Sequence, residues 1–418
     1  MKIAYISKYA VLPEFGSPTR QYFLSKYLSA KDDNEVLLVG SRSTLGDVPK
    51  IQGLYRSVSL GHLEVVTLQG PKIDLGFNFK RVWSWIIFEF NLFRFRNKIK
   101  AFKPDVVIVS SLSILTFLYG VFLKKWLKVP LVLEIRDIYP LTLVEVGKYS
   151  PNHPAVKVLG WVEKFGYKHA DLILSTLPNA SEHIGNVIKK PFRFKWIPMG
   201  VDPEYLVNDD QPQFAEQVLG PKKGGEFRVG YGGTLGVANA LELLFETAEE
   251  FENSYPQIKF IFIGDGPLKP GFQEKYGHLS NIRFIPPVKK RELQPLLQEM
   301  DILINPCLDV PIYRFGVSPN KWMDYMHAAR PLLVAYSGKK CIIDEAGCGI
   351  FVEANNKEKL KEGILQFFHT DPAELTEMGA RGKAYLYKKL TYKALAEDIN
   401  ESLNNLLYST ATNTVLNG

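Results

Sequence analysis

The sequence predicts an α/β protein with two doubly wound domains, because short apolar runs alternate with helical stretches twice along its 418 residues. Many of these runs are continuously apolar, which is typical of parallel strands covered on both faces. The chain is too long for one ordinary hydrophobic core, so two or three domains are expected.

The strands follow from these runs. In the first half we predict Lys2–Ser7, Glu35–Val39, Glu64–Leu68, Asp105–Ser110, Leu131–Ile135, Asp171–Ser175 and Lys195–Pro198. In the second half we predict Phe227–Tyr231, Lys259–Ile263, Ile282–Ile285, Ile302–Asn305, Leu332–Ala335 and Gly349–Val352. Helical patterns such as Ala240–Phe251 and Arg291–Met300 fill the gaps.

The join between the domains is predicted within Asp202–Glu226, where polar residues, prolines and glycines break the periodicity and favour a solvated linker. We therefore assign residues 1–203 to a first domain, 204–390 to a second, and 391–418 to a C-terminal helix and tail that returns towards the first. Two similar domains place the expected site in a cleft between them, at the carboxyl ends of the strands.

The composition, 46% hydrophobic and 23% charged, is typical of a soluble globular protein. A net charge of +7 suits phosphate-bearing ligands or an anionic membrane surface but is too small to indicate nucleic acid. The three cysteines, Cys307, Cys341 and Cys348, have neither zinc-site nor redox spacing, which indicates a reduced cytoplasmic setting. We see no signal-peptide pattern and no apolar run of membrane-spanning length.

The segment Ser318–Pro331 is the most informative one for function. Ser318 is predicted as the N-cap of a short helix and Pro319 as its first residue. The free amides of that first turn favour a phosphate, and Lys321 adds a cation. Asp324 shares a face with Asn320 and Lys321, where it could hold sugar hydroxyls. An ordinary capped surface helix explains the same pattern.

Three loops follow predicted strands and face the expected site. Gly233-Thr234-Leu235-Gly236 and Gly264-Asp265-Gly266-Pro267 could approach a phosphate closely, although tight strand-to-helix turns explain their glycines equally well. The loop Pro13–Arg20 carries Gly16 and lacks a dinucleotide-binding fingerprint, which disfavours a nicotinamide-dependent dehydrogenase.

Two further features lie in the first domain. Arg136 and Asp137 follow a predicted strand and could contact a substrate, or simply pair with each other. The segment Lys80–Lys103 combines dense aromatics with flanking cations, which fits an interfacial helix on acidic lipid headgroups. An amphipathic helix packed on the domain is the alternative, and we favour the membrane because the aromatics occupy more than one face.

In order and spacing, these motifs resemble the bacterial family-four retaining glycosyltransferases, which have the GT-B fold of two Rossmann-like domains facing a central cleft. The branch with a Ser-Pro-Asn-Lys-x-x-Glu/Asp-Tyr-Met motif, which includes the fucosamine transferases of O-antigen and capsule assembly, is the nearer match. The resemblance also covers Pro198–Asp202 and Pro287–Val288 and extends over nearly the whole chain.

This resemblance implies a UDP-sugar donor on the second domain and an acceptor on the first. It places Gly16 near the diphosphate, the backbone of Val288 at the uracil, Asp324 on the ribose hydroxyls and Asp137 facing the acceptor. With the residues proposed from the motifs, the expected donor site comprises Gly16, Gly233, Thr234, Asp265, Val288, Arg314, Ser318, Pro319, Asn320, Lys321 and Asp324. Arg136 is expected to bind the acceptor, and Lys321 and Asp137 are the expected catalytic residues.

The chain departs from the family pattern at the donor site. Gly316 stands where the family has its first glutamate, and Thr234 and Asn239 replace the usual Arg and Lys of the donor loop. Lys321, the helix amides and Arg314 are left to neutralise the diphosphate.

We therefore expect transfer of a sugar, an N-acetylated hexosamine or deoxy-hexosamine, from a UDP-sugar to a polyprenyl-diphosphate-linked saccharide at the cytoplasmic face of the membrane. Electrostatic stabilisation of the leaving UDP would be the main catalytic effect. No metal or other cofactor is expected, since no Asp-x-Asp pair follows a strand. The alternatives are a UDP-sugar 2-epimerase and a non-catalytic binding subunit.

Overall fold

The computed structural model describes residues 1–16, 19–43, 47–73, 79–111, 113–206, 212–339 and 342–415. The chain divides into two compact units. The first comprises Met1–Pro198 and Tyr392–Gly418, and the second comprises Met199–Thr391. Each contains one sheet connected by helices, so the predicted class, an α/β fold of two doubly wound domains, is confirmed. Ser17, Pro18 and Cys341 lie outside the described residues.

The first unit is built on an eight-stranded sheet of order β3-β4-β2-β1-β5-β6-β7-β8. Its strands are β1 (Lys2–Ile6), β2 (Glu35–Ser41), β3 (Tyr55–Leu60), β4 (Leu63–Leu68), β5 (Val106–Ser110), β6 (Leu131–Ile135), β7 (Leu172–Ser175) and β8 (Phe194–Trp196). Its first six helices are α1 (Arg20–Ser29), α2 (Phe79–Phe102), α3 (Thr116–Leu127), α4 (Leu141–Glu145), α5 (Pro154–His169) and α6 (Ala180–Ile188).

Strand β3 has no counterpart among the predicted strands. It lies at the edge of the sheet and pairs antiparallel with β4, whereas the other strand pairs of this sheet are parallel. Its residues are exposed or half-buried, so it lacks the apolar run that marks the buried strands.

The second unit has a six-stranded parallel sheet of order β11-β10-β9-β12-β13-β14. Its strands are β9 (Phe227–Gly232), β10 (Ile258–Ile263), β11 (Ile282–Ile285), β12 (Ile302–Pro306), β13 (Leu332–Ala335) and β14 (Gly349–Val352). Its helices are α7 (Pro203–Leu206), α8 (Pro212–Leu219), α9 (Glu242–Ser254), α10 (Lys269–Tyr276), α11 (Lys290–Gln298), α12 (Asn320–His327), α13 (Ile342–Ala346), α14 (Lys357–Phe368) and α15 (Pro372–Lys389). Helices α7 and α8 lie within the segment predicted as a linker.

The strand order of the second sheet reverses between β9 and β12. In open α/β sheets, ligands bind beside the carboxyl ends of the strands at such a switch point. The loops after β9 and β12 are therefore where a donor site is expected in this unit.

The last helix, α16 (Tyr392–Val415), returns to the first unit and packs on α1. Tyr392 stacks on Phe23 with ring centroids 5.6 Å apart, and Asn34 Nδ2 donates a hydrogen bond to Asn400 Oδ1 at 2.9 Å. The C-terminal helix therefore belongs to the first unit through its packing on α1.

A network built on a buried ion pair links four parts of the first unit. Arg20 Nε donates to Glu134 Oε1 at 2.9 Å, and both side chains are only 1% exposed. Tyr5 donates its hydroxyl to Glu134 Oε2 at 2.7 Å. The other guanidinium nitrogens of Arg20 donate to the carbonyl oxygens of Ile197 and Pro198. Helix α1, strands β1 and β6 and the end of the segment after β8 are thus joined through one charged network.

Candidate functional site

The loop after β9 forms one wall of the candidate donor site. Gly233 has a φ of +152°, and a Cβ at this position would lie 2.5 Å from Lys321 Cε. A side chain there would displace Lys321, so glycine is required for the approach of the two segments. The same loop pairs with the turn after β10 through a hydrogen bond from Leu235 N to Asp265 O at 2.9 Å.

Helix α12 forms the second wall, and it begins later than predicted. Pro319 has an extended conformation and is the N-cap, so Asn320 is the first helical residue. Ser318 does not cap the helix, because its Oγ accepts a hydrogen bond from Met199 N at 3.0 Å. The prediction of Ser318 as N-cap and Pro319 as first helical residue was therefore wrong by one position; the hydroxyl is used in a tertiary contact that spacing alone could not reveal.

Lys321 lies where the two walls meet. Its Nζ donates a hydrogen bond to Asn239 Oδ1 and lies 5.1 Å from the ring centroid of Tyr231. Burial lowers the pKa of Lys321 to about 8, against the opposing influence of Cys307 and Asp324. The side chain is a largely desolvated cation with one neutral partner, which favours binding of an anion.

Asp324 follows Lys321 by one turn of α12 and is 7% exposed. Both its carboxylate oxygens accept hydrogen bonds from Lys290 Nζ, at the start of α11. Sequence reasoning missed Lys290. The available signal was its position two residues after Val288, the segment that the family resemblance assigns to the uracil.

Tyr325 fixes α12 on the switch point of the sheet. Its hydroxyl accepts a hydrogen bond from Gly232 N at 3.0 Å and faces the carbonyl oxygens of Gly232 and Ile304 at 3.3 and 3.4 Å. The helix is therefore tied to the end of β9 and to the middle of β12. Sequence reasoning missed this role, because a tyrosine within a helix has no local signature for it.

The remaining predicted donor residues surround this arrangement at the surface. Thr234 is exposed, and its carbonyl oxygen accepts hydrogen bonds from Tyr231 Oη at 2.7 Å and Asn239 Nδ2 at 2.8 Å. Asp265 is exposed, and its Oδ1 accepts from Gly266 N at 2.8 Å, which shapes the turn. Val288 is half-buried before α11. Asn320 is exposed at the start of α12.

Arg314 lies in the 3-10 turn Pro311–Phe315 after β12. It is exposed, and its Nη1 donates to Pro311 O at 3.0 Å. It lines a cavity of about 270 Å³ together with Asp309, Tyr313 and Gly338.

A larger cavity of about 320 Å³ opens at the carboxyl ends of β12 and β13 and is lined by Ala240, Cys307 and Asn355, among others. Its volume is within the range of small-molecule sites.

The predicted residues of the first unit lie at the carboxyl ends of its strands. Gly16, with a φ of +99°, ends a 3-10 turn at Pro13–Phe15. Asp137 is exposed just after β6, and the charges of Arg136 and Arg81 both act on it. Nε and Nη1 of Arg136 are buried and have no hydrogen-bond partner in the described part of the chain. A simple pairing of Arg136 with Asp137 therefore does not satisfy this guanidinium.

The described residues contain neither a metal-binding cluster nor a membrane-spanning helix. Within residues 1–415, apart from the gaps given above, no group of three His, Cys, Asp or Glu side chains is placed to hold a metal ion. In the same part of the chain, no helix is long and apolar enough to cross a membrane.

Comparison with known proteins gives two family matches. Residues 56–190 match the model of a glycosyl transferase 4-like domain, and residues 226–370 match that of the glycosyl transferases group 1. Sulfoquinovosyl transferase SQD2 of Arabidopsis thaliana is 26% identical over 223 residues, which are 51% of this chain and 40% of that protein. This chain thus matches less than half the length of that relative.

Two solved structures share the fold. The sucrose-phosphate synthase of Thermosynechococcus elongatus superposes with a TM-score of 0.74 at 14% identity, over 98% of this chain and 99% of that one. HepE of Anabaena, in complex with UDP, superposes with a TM-score of 0.63 at 13% identity, over 97% of this chain and 100% of that one.

Proposed function

Because the chain belongs to the group 1 glycosyltransferases with the GT-B fold, we propose that it transfers a sugar from a UDP-sugar, held by the second unit, to a saccharide acceptor, held by the first. The observation that carries this proposal is the position of Lys321 and Asp324. Both project from α12 at the switch point of the second sheet, one desolvated cation and one buried carboxylate a turn apart.

The chemistry of these two side chains suits a nucleoside diphosphate sugar. Lys321 would bind the diphosphate in place of its present partner, Asn239. Asp324 would accept hydrogen bonds from the ribose hydroxyls, sharing its oxygens with Lys290. The backbone of Val288 would meet the uracil. The complex of HepE with UDP supports uridine as the nucleotide.

Charge stabilisation is the proposed origin of catalysis. The leaving UDP gains negative charge as the glycosidic bond breaks, and a preorganised cation in a desolvated site is most effective against such charge. Lys321 supplies this cation, and the first amides of α12 add hydrogen-bond donors. With Gly316 in place of a carboxylate, we propose retention by same-face attack, in which the leaving phosphate accepts the acceptor proton. Asp137 would orient the acceptor.

The ribose contact leads to a sharp expectation for Asp324→Asn. The wild type should bind UDP more tightly than 2′-deoxy-UDP, because a buried carboxylate loses a charged hydrogen bond with the deoxy ligand. The variant should bind UDP on the order of 10-fold more weakly and lose most of this preference. Isothermal titration measures both, with Glu274→Gln on α10 as the exposed matched control. A preference for UDP that survives in Asp324→Asn would refute the assignment.

The finer proposal is an N-acetylated hexosamine or deoxy-hexosamine donor and a polyprenyl-diphosphate-linked saccharide acceptor, in the assembly of O-antigen or capsule. The resemblance of Ser318–Pro331 to the fucosamine-transferase motif supports it. A thermal-shift screen of UDP-sugars, followed by transfer to synthetic polyprenyl-diphosphate sugars, tests it directly. Epimerisation of the UDP-sugar in the absence of an acceptor would instead indicate an isomerase. Donor binding without any turnover would indicate a non-catalytic binding subunit.

Helix α2 supports a place at the membrane surface. Trp83, Ile86, Phe90 and Phe93 are 50%, 48%, 61% and 48% exposed and follow each other at helical spacing, so they form one outward apolar stripe. The opposite face is buried in the core through Trp85, Phe88, Leu92, Phe95 and Ile99. Exposed Lys80, Arg94, Lys98 and Lys100 accompany the stripe. We propose that this surface binds anionic lipid.

Replacing both Phe90 and Phe93 by serine should weaken binding to phosphatidylglycerol vesicles by at least about 10-fold, because each aromatic ring contributes apolar area to the lipid contact. Co-sedimentation measures the partition coefficient. Tyr408→Ser removes a ring that is 74% exposed on α16 and serves as the matched control. Equal vesicle binding by the double variant and the wild type would argue against a lipid-facing α2.

A further inference from the structure

The side chains around Asp137 form a cationic and aromatic cluster that the donor chemistry leaves unused. We call Tyr9, Arg81, Trp85, Arg136 and Tyr139 the β6-end cluster. All belong to the first unit, and they lie around the carboxyl ends of β1 and β6.

The unpartnered guanidinium nitrogens of Arg136 are the key observation. Its backbone N–H donates to Ser111 Oγ at 2.9 Å, which fixes the residue at the end of β6. Its Nε and Nη1 are buried without a hydrogen-bond partner in the part of the chain that the structure describes. Buried guanidinium donors are almost always paired in native proteins, because an unpaired one loses its hydration without compensation. This pair of N–H groups therefore points to an acceptor supplied by a ligand.

Arg81 provides a second guanidinium close by. Its Nε donates to Tyr9 Oη at 3.4 Å, and Trp85 Nε1 donates to the same hydroxyl at 3.2 Å. Trp85 in turn packs edge-to-face on Tyr139, with ring centroids 6.3 Å apart. The aromatic side chains thus hold Arg81 in place. Like Arg136, it acts electrostatically on Asp137.

The charge balance of the cluster favours an anion. Two guanidinium groups face one exposed carboxylate, Asp137. Arg136 also interacts with buried Glu134, but the charge of that carboxylate is balanced by Arg20 in the buried ion pair. Two further ionisable groups, buried Lys8 and half-buried Glu89, interact with each other. Lys8 Nζ donates to Ser43 O at 2.8 Å, and Glu89 accepts from Ser113 and Thr116 hydroxyls. Opposite in sign, these two largely cancel, which leaves an excess of positive charge on the arginines.

We propose that Arg81 and Arg136 bind the diphosphate group of the lipid-linked acceptor, an inference that rests on the proposed function. A planar guanidinium group can bind two phosphate oxygens at once. One diphosphate offers enough oxygens for both arginines, so it fits this pair better than two separate monovalent anions. Arg81 also precedes Trp83, the first residue of the lipid-facing stripe, by two positions on α2. One helix would therefore bind both the lipid surface and the diphosphate that lies at its headgroup level.

The test measures binding of geranyl diphosphate to the purified full chain by isothermal titration, with saturating UDP present to occupy the donor site. Arg81→Gln and Arg136→Gln should each weaken binding by about 10- to 100-fold. Arg94→Gln, on the exposed face of the same helix, should leave it unchanged. Inorganic diphosphate should compete, whereas geranyl alcohol should not bind measurably.

Two results would overturn the proposal. Unchanged affinity in both arginine variants would do so. So would weakened binding to phosphatidylglycerol vesicles in these variants with no effect on geranyl diphosphate, since the arginines would then bind lipid headgroups. If Arg136→Gln does not fold, half-exposed Arg81 still allows the comparison with Arg94→Gln. Failure of UDP itself to bind would count against the proposed function and would leave this comparison valid.

Discussion

Replacing Lys321 by alanine is expected to reduce kcat/KM for sugar transfer by about 10²- to 10³-fold, the loss typical of removing one preorganised charge-stabilising group. The effect should be at the upper end of this range, because Thr234 and Asn239, which the family resemblance places in the donor loop, are uncharged, and Arg314 lies on a different turn. Initial rates with the donor and acceptor found by the screen measure it. Lys275→Ala on α10 is the exposed control.

The pH dependence should separate binding from folding at this residue. Burial lowers the pKa of Lys321 to about 8 from 10.5, so the cation is lost as the pH rises through 8 and UDP affinity should fall. The unfolded chain binds more protons than the folded one between about pH 8 and 10.5, so this group makes the protein more stable as the pH rises. As the pH rises, UDP affinity should therefore fall while the contribution of Lys321 to folding stability rises. Lys321→Ala should lose this pH dependence of UDP affinity; turnover equal to the wild type would contradict the assignment.

The sequence predicted the segment that carries the proposed donor site but not the contacts made there. Lys321 and Asp324 were predicted from one segment, because helical spacing and an anion-binding first turn are local properties. Lys290 and Tyr325 were missed, since each acts through a partner on another element. Ser318 was assigned the wrong role for the same reason: its hydroxyl interacts with Met199, far away in the sequence.

Helix α2 shows what the periodicity of a sequence leaves open. The aromatic residues lie on two faces, as predicted, but one face packs into the core and the other is a single exposed stripe. Periodicity identified the helix without showing which face the sheet would cover. That depends on the packing of α2 against β4 and α3, which is not encoded locally.

Arg20→Met is expected to destabilise the first unit by about 3–5 kcal/mol, which would be the largest effect on stability among the changes considered. The methionine removes the ion pair and leaves Glu134 as a buried charge, since both side chains are only 1% exposed. It also leaves the carbonyl oxygens of Ile197 and Pro198 without their guanidinium donors. Urea unfolding followed by tryptophan fluorescence reports mainly this unit, because five of the six tryptophans lie in it.

The pH dependence of stability provides a control for this expectation. Burial alone would raise the pKa of Glu134, but Arg20, Arg136 and the Tyr5 hydroxyl hold it at about 2. In the wild type, this carboxylate therefore adds stability above its unfolded value of 4.5, and the contribution is lost as the pH falls towards 2. Without Arg20 the folded-state pKa of Glu134 rises, so the loss of stability in the variant should be largest at neutral pH and should shrink on acidification.

Arg20→Met combined with Glu134→Gln should recover part of the loss, because no buried charge remains. Lys2→Ala, which breaks the exposed Lys2–Glu35 pair, should cost less than about 1 kcal/mol. A comparably small loss in Arg20→Met would show that the network does not stabilise the first unit.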